Sequence, residues 1–197
     1  MGIDYINSIK KSAEHLSSEK VARKIYLSYP TQIFIGKEDE EFDLCNEISD
    51  FFSIPLGAIA VVGSAKLGYS AFKKQDFDVN KSDIDIAIID PQLFIKFFEI
   101  SFIKSNGYDA TKFRTDRNNK SLRDEYVRYI SKGIFRPDLM PFCEERQELW
   151  NFLNRLSRKY SHHAKKISIG MYVTEKIFLE KQKSIVSAVE RNFGVIE

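Results

Sequence analysis

Cysteine is nearly missing from this chain of 197 residues: Cys45 and Cys143 stand alone, in no CxxC or Cys/His ligand spacing. That excludes a disulfide framework and leaves two reduced, partly buried thiols as the expectation. A long hydrophobic run is missing too. No segment reaches the roughly 18 apolar residues of a membrane span. The first twenty residues, MGIDYINSIKKSAEHLSSEK, are dotted with charge where a secretory leader would be continuously apolar. Met1-Gly2 does not continue into a myristoylation pattern, because Ile6 stands where Ser or Thr is required. A cytoplasmic protein without a membrane partner is expected. Charge of one sign is also scarce: a formal net charge of +2 is too small by itself to argue for duplex nucleic acid.

What is present is the apolar share of an ordinary globular protein with 16 phenylalanines, on a chain long enough for one domain with a real core. The most informative stretch runs from Ile54 to Asp90. Ala58 to Val62 is a buried-strand run that ends at Gly63-Ser64. A residue without Cβ there lets the backbone come close to a ligand, and the hydroxyl can bond a phosphate oxygen. A helix following this turn would add free N–H groups at the same place. Ser82 to Ile89 alternates acidic and apolar residues and then turns wholly apolar, as a strand entering a sheet does. Asp83 and Asp85 therefore share one face, about 6.6 Å apart along the strand. Carboxylates at that spacing can grip one divalent ion, or two ions about 3.5–4 Å apart. Repeated acid on an exposed strand costs repulsion that a cation offsets; a merely solvated face is the plain alternative. The glycine spacing of Gly63 to Gly68 is that of a P-loop, but Tyr69 stands where the phosphate-binding lysine belongs.

In Gly63, Ser64, Asp83 and Asp85 the sequence resembles the nucleotidyltransferase superfamily typified by DNA polymerase beta, whose signature is Gly-Ser or Gly-Gly after a strand, followed by an Asp-x-Asp strand. The resemblance is confined to this central stretch. It implies an α/β (α+β) fold, a mixed sheet flanked by helices. One nucleotidyltransferase-like domain over 1–197 is expected, with a helical N-terminal extension (1–53), a catalytic core (54–142) and a helix-strand-helix completion (143–197). It implies Mg2+ or Mn2+ on Asp83 and Asp85, and a nucleoside triphosphate held by Gly63, Ser64, Lys66 and Ser82. The implied reaction passes a nucleoside monophosphate to a hydroxyl of a nucleotide, an RNA or a protein. A compact member fits an antiviral defence setting by analogy. The alternative is a catalytically silent nucleotide-binding or protein-interaction module on the same fold.

The family's third carboxylate is expected at Asp138, within Gly133 to Phe142, where two prolines stiffen the backbone around Arg136, Asp138 and Met140. Pro137 suits a central strand poorly, and Pro-Asp is also ordinary turn chemistry. If the later strand, Ile167 to Val173, takes the place of the third acidic strand instead, Ser168 and Gly170 stand where a carboxylate would be.

Elsewhere the spacing predicts one or two helices over residues 3–28 and a helix over Glu38 to Phe52 burying Phe42, Cys45, Ile48, Phe51 and Phe52. A helix after Asp90-Pro91 is expected to bury Leu93, Phe94, Phe97, Phe98 and Ile100. Helices over Ser121 to Ser131 and Glu144 to about Tyr160 follow, then a last one capped by Thr174. Lys73, Lys74 and Lys81 lie in a polar connection read as mobile, and Lys112, Arg114, Arg117, Arg123 and Arg128 face either a polyanion or plain solvent. His162 and His163, as helix neighbours, would point apart and share no metal.

Overall fold

A computed structural model describes residues 3–193; Met1-Gly2 and residues 194–197 lie outside it. Four strands form a mixed sheet: β1 (Ile59–Val62), β4 (Asp83–Ile89), β5 (Ile134–Phe135) and β6 (Lys166–Tyr172), ordered β1-β4-β6-β5. β1 runs antiparallel to β4, β4 parallel to β6, and β5 antiparallel to β6. Helices cover both faces, so the expected mixed sheet between helices is what the chain forms. Among the described residues no helix is long and apolar enough to cross a membrane.

The pleat of β4 divides the protein into two cores. Ile84, Ile86 and Ile88 point to one side. There they meet α3 (Glu38–Phe52), α5 (Pro91–Lys104) and α7 (Glu144–Lys159) through Leu44, Ile48, Phe97 and Leu156. Ala87 points to the other side, with Val62 of β1 and Tyr172 of β6. That core is closed by α1 (Tyr5–Ala13), α2 (Ser18–Leu27) and α8 (Glu175–Asn192) through Ile9, Ile25, Phe178 and Val186. The N-terminal helices thus complete the second layer. Their starts are set by side-chain caps: Asp4 accepts from the Asn7 N–H at 2.9 Å and Ser17 from Lys20 at 3.4 Å.

Two expectations shift in detail. α3 buries Leu44, Ile48 and Phe52, an i, i+4, i+8 row, while Phe42 and Phe51 are exposed; Phe51 lies flat on Phe152 of α7, ring centroids 3.9 Å apart. The helix is turned so that one row of its apolar residues faces the sheet and the others meet its neighbours. The polar connection between Ser64 and Ser82 is more ordered than its composition suggests. It holds the short helix α4 (Gly63–Leu67) and a two-stranded ribbon, β2 (Tyr69–Ser70) against β3 (Gln75–Asp76). Leu67 and Ala71 bury themselves beneath it, and the Asn192 amide donates to the Ala71 carbonyl at 2.6 Å.

Candidate functional site

The register builds the site. Val62 is opposite Asp85 across β1 and β4, so the chain turns at Gly63 directly beside the Asp85 carboxylate. Gly63 has φ +66°, in the left-handed region, and a Cβ placed there would stand 2.9 Å from Asp85 Oδ2. Glycine is required twice over, by backbone and by space. Asp83 and Asp85 project from the same face of β4, opposite the fully buried Ile84 and Ile86. The two aspartates and the bend are therefore together.

On the other flank β6 lies next to β4, with Asp83 opposite Lys166 and Asp85 opposite Ser168. The Ser168 hydroxyl donates to Asp85 Oδ1, and Lys166 Nζ stands 3.5 Å from Asp83 Oδ2. Burial pushes the Asp85 carboxyl above the usual carboxylate range and the Asp83 charge adds to this; the Ser168 hydrogen bond, Arg136 and Lys166 pull the other way.

Asp138 does not sit on a strand beside β4. β5 ends at Phe135, and Pro137–Leu139 form a single 3-10 turn, because proline cannot continue the ladder. Its carboxylate is held in a fork by Arg136, with Nε to Oδ1 at 2.8 Å and Nη2 to Oδ2 at 2.6 Å. With β6 between β4 and β5, the strand position expected to bear the third acid is occupied by Ser168.

Two clefts meet at the aspartate pair. One, of about 690 Å³, is lined by Asp83, Asp85, Asp138, Arg146, Trp150 and Lys165 among others. The second, of about 350 Å³, contains Gly63, Ser64, Ser82, Lys73, Lys181 and the buried Gln182 alongside Asp83 and Asp85. Arg136 lines both clefts, and its guanidinium lies 5.0 Å from the centre of the Tyr129 ring. Ser82 Oγ accepts from the Asp78 N–H at 3.1 Å, which leaves its proton to donate.

Lys66 is not in this group. Two residues beyond Ser64 on a helix, it faces the opposite way. It is buried with its Nζ donating to the Tyr29 carbonyl at 2.6 Å, in a separate cleft with Glu41 and Cys45. Burial lowers its pKa to about 8, against the pull of Glu41 and Cys45. It holds α4 to the N-terminal layer, and the nucleotide-binding expectation for it is corrected. α4 is only five residues long, too short to carry a helix-dipole argument, so phosphate binding at the turn would rest on the Ser64 hydroxyl and on single N–H groups.

Sequence reading missed Lys166, Lys181 and Gln182. The alternation of β6 contained a signal for Lys166, which shares a face with Ser168, but only the pairing with β4 gives that face a meaning. On the helix that follows the basic loop, Arg123 pairs with Asp124 and Arg128 with Glu125 at the surface.

Gly63→Ala is expected to destabilise the protein by about 1–3 kcal/mol, from left-handed strain and from pushing the Asp85 carboxylate away. A thermal melt reads this as a fall of several degrees, and an unchanged melting temperature would contradict the close approach.

In comparison with known proteins, the chain matches no family model, no curated protein and no solved structure.

Proposed function

We propose that this protein is a divalent-metal-dependent nucleotidyltransferase that moves a nucleoside monophosphate from a nucleoside triphosphate to an acceptor hydroxyl. One observation carries the reading: Asp83 and Asp85 share a face of β4 where two clefts meet, with the Gly63 bend against Asp85. The donor set fits Mg2+ or Mn2+. A hard cation takes oxygen ligands, and Mg2+ is commonly held by one or two carboxylates plus substrate phosphates. When bound, the ion would neutralise phosphate charge and make the acceptor hydroxyl more acidic.

The residues divide the work. The smaller cleft suits the triphosphate, with Ser64 and Ser82 as hydroxyl donors and Lys73 and Lys181 as cations for the outer phosphates. The larger cleft suits the acceptor, with Trp150 as an apolar wall and Arg146 and Lys165 for anionic groups. Arg136 stands between them as a fixed guanidinium donor whose charge is largely offset by its fork with Asp138. In the transfer the acceptor oxygen bonds to the α-phosphorus, the bond from that phosphorus to the bridging oxygen breaks, and pyrophosphate departs. The acceptor proton passes to water.

The specific arrangement at Ser168 favours a second reading, a module that binds triphosphate without transferring it. A serine beside Asp85 and an Asp138 neutralised by Arg136 leave the pair one carboxylate short. Incubation with each α-labelled triphosphate, Mg2+ and cell extract separates the two. Label on a macromolecule with release of pyrophosphate supports transfer; binding with neither sinks it in favour of the silent module.

The pH dependence follows from Asp85. Only the ionised carboxylate holds the cation, and burial raises its pKa. Protonation therefore wins at a higher pH than for an ordinary aspartate near about 3.9. Transfer is expected to fall on the acid side with its limb shifted upward. Ser168→Ala, which removes a hydrogen bond to the ionised form, should shift the limb further up. A rate-against-pH profile of both proteins checks the order.

A further inference from the structure

The expectation that His162 and His163 diverge is wrong. α7 ends at Lys159 and the two histidines lie in the turn before β6, where backbone geometry no longer sends neighbours to opposite sides. Their ring centroids are 4.2 Å apart. Both Nε2 atoms reach the same oxygen, Glu40 Oε2, at 2.9 Å from His162 and 2.5 Å from His163. Glu40 belongs to the first turn of α3, so residues far apart in sequence converge on one point.

We propose that Glu40, His162 and His163 form a binding site for a zinc-class divalent transition-metal ion, a clasp between the start of α3 and the turn that leads into β6. Three donors of the right kind, two imidazole nitrogens and a carboxylate oxygen, lie within 4.8 Å of one another. Zinc takes such ligands at about 2.0–2.2 Å, so tetrahedral neighbours are about 3.3 Å apart. The His–Glu contacts need open by less than about an ångström to admit the ion. Imidazole with one carboxylate suits Zn2+, Cu2+ or Ni2+ and is a poor set for Mg2+, which distinguishes this site from the aspartate pair.

The surroundings support a held site with an entrance. His163 is buried and fixed edge-on against Phe34, ring centroids 4.9 Å apart, while His162 and Glu40 keep the outer side open to solvent. Glu38, Asp39 and Glu41 in the same helical turn add negative charge. None of the three ligands lines either cleft at Asp83 and Asp85, and the proposal stands whatever reaction that site performs. An ion here would tie α3 to the segment that continues into Lys166 and Ser168.

The test is direct binding. Metal-stripped protein is dialysed against Zn2+ and, separately, titrated with Co2+ as an optical probe. One equivalent bound, visible d–d absorption with Co2+, and a melting temperature raised by about 5 °C or more at a hundredfold excess over Kd are expected. Glu40→Gln and His162→Ala change solvent-facing groups and keep the fold by circular dichroism; each is expected to weaken binding at least about tenfold. His15→Ala, at the remaining histidine, retains one equivalent. Failure of the wild-type protein to bind an equivalent, or undiminished binding in both site variants, overturns the proposal.

Discussion

Asp83→Asn combined with Asp85→Asn is expected to lower metal-dependent transfer by more than about a thousandfold while the protein becomes slightly more stable. The loss follows from chemistry. Asparagine presents at most one neutral oxygen per side chain, and two-metal displacement depends on anionic ligands to concentrate cation charge at the reacting phosphate. The gain in stability follows from the same charges. The carboxyl of Asp85 is raised above its unfolded value by burial, with the charge of Asp83 adding to it. A group of this kind favours the folded state below the unfolded pKa, and that advantage is lost as pH rises through the folded pKa. At neutral pH the wild-type protein therefore carries an ionised buried carboxylate that the amide variant does not. The introduced carboxamide can still accept from the Ser168 hydroxyl, so the local hydrogen bond survives. Label incorporation measures the first effect and a thermal melt at pH 7 the second. Unchanged incorporation removes the aspartate pair from the mechanism; a marked loss of stability shows that the pair is structural.

This opposition of activity and stability also explains what was legible in the sequence. Asp-Ile-Asp-Ile announces a conflict with folding, since two acids share a strand face with residues that enter the core, and such conflicts mark sites. Gly63 could be read for the same reason: only a residue lacking Cβ serves both a left-handed bend and a close approach. Periodicity gave β1, β4, β6 and the long helices because burial imposes it locally, whereas β2, β3 and β5, at two residues each, are too short to show a period. The neighbour of a strand is not a local property. β4 ends at Ile89 and β6 begins only at Lys166, and nothing in the pattern of β6 says that it, and not β5, pairs with β4. The roles of Ser168 and Lys166 hang on that pairing, as does the displacement of Asp138 from the expected position. Lys66 illustrates a second limit: its helix is little more than one turn long, so its direction is set by the backbone of Gly63 and not by a repeating pattern. His162 and His163 illustrate a third, because a shift of a helix end by a few residues turns divergent neighbours into convergent ones.

Phe135→Ala is expected to cost about 3–5 kcal/mol, a large part of the roughly 5–15 kcal/mol that holds a domain of this kind together. β5 has only two residues, and Phe135 is its anchor, paired with Met171 and without exposed surface. Its ring meets Tyr126 edge-on at 5.9 Å and Phe97 at 5.5 Å, so truncation removes contacts to α5 and to α6 (Arg123–Ile130) at once. The neighbours are fixed by their own helices and cannot close the hole, which places the cost toward the upper end for such a change. Urea denaturation should show the midpoint falling with little change in slope. Phe135→Leu, which keeps most of the volume, should cost only about 1 kcal/mol. The consequence reaches the site because Arg136 is the next residue. Its fork with Asp138 and its position between the two clefts depend on β5 staying against β6. If Phe135→Ala loses no more than Phe135→Leu, β5 is not what fixes Arg136, and the guanidinium between the clefts must be held by the turn at Pro137 alone.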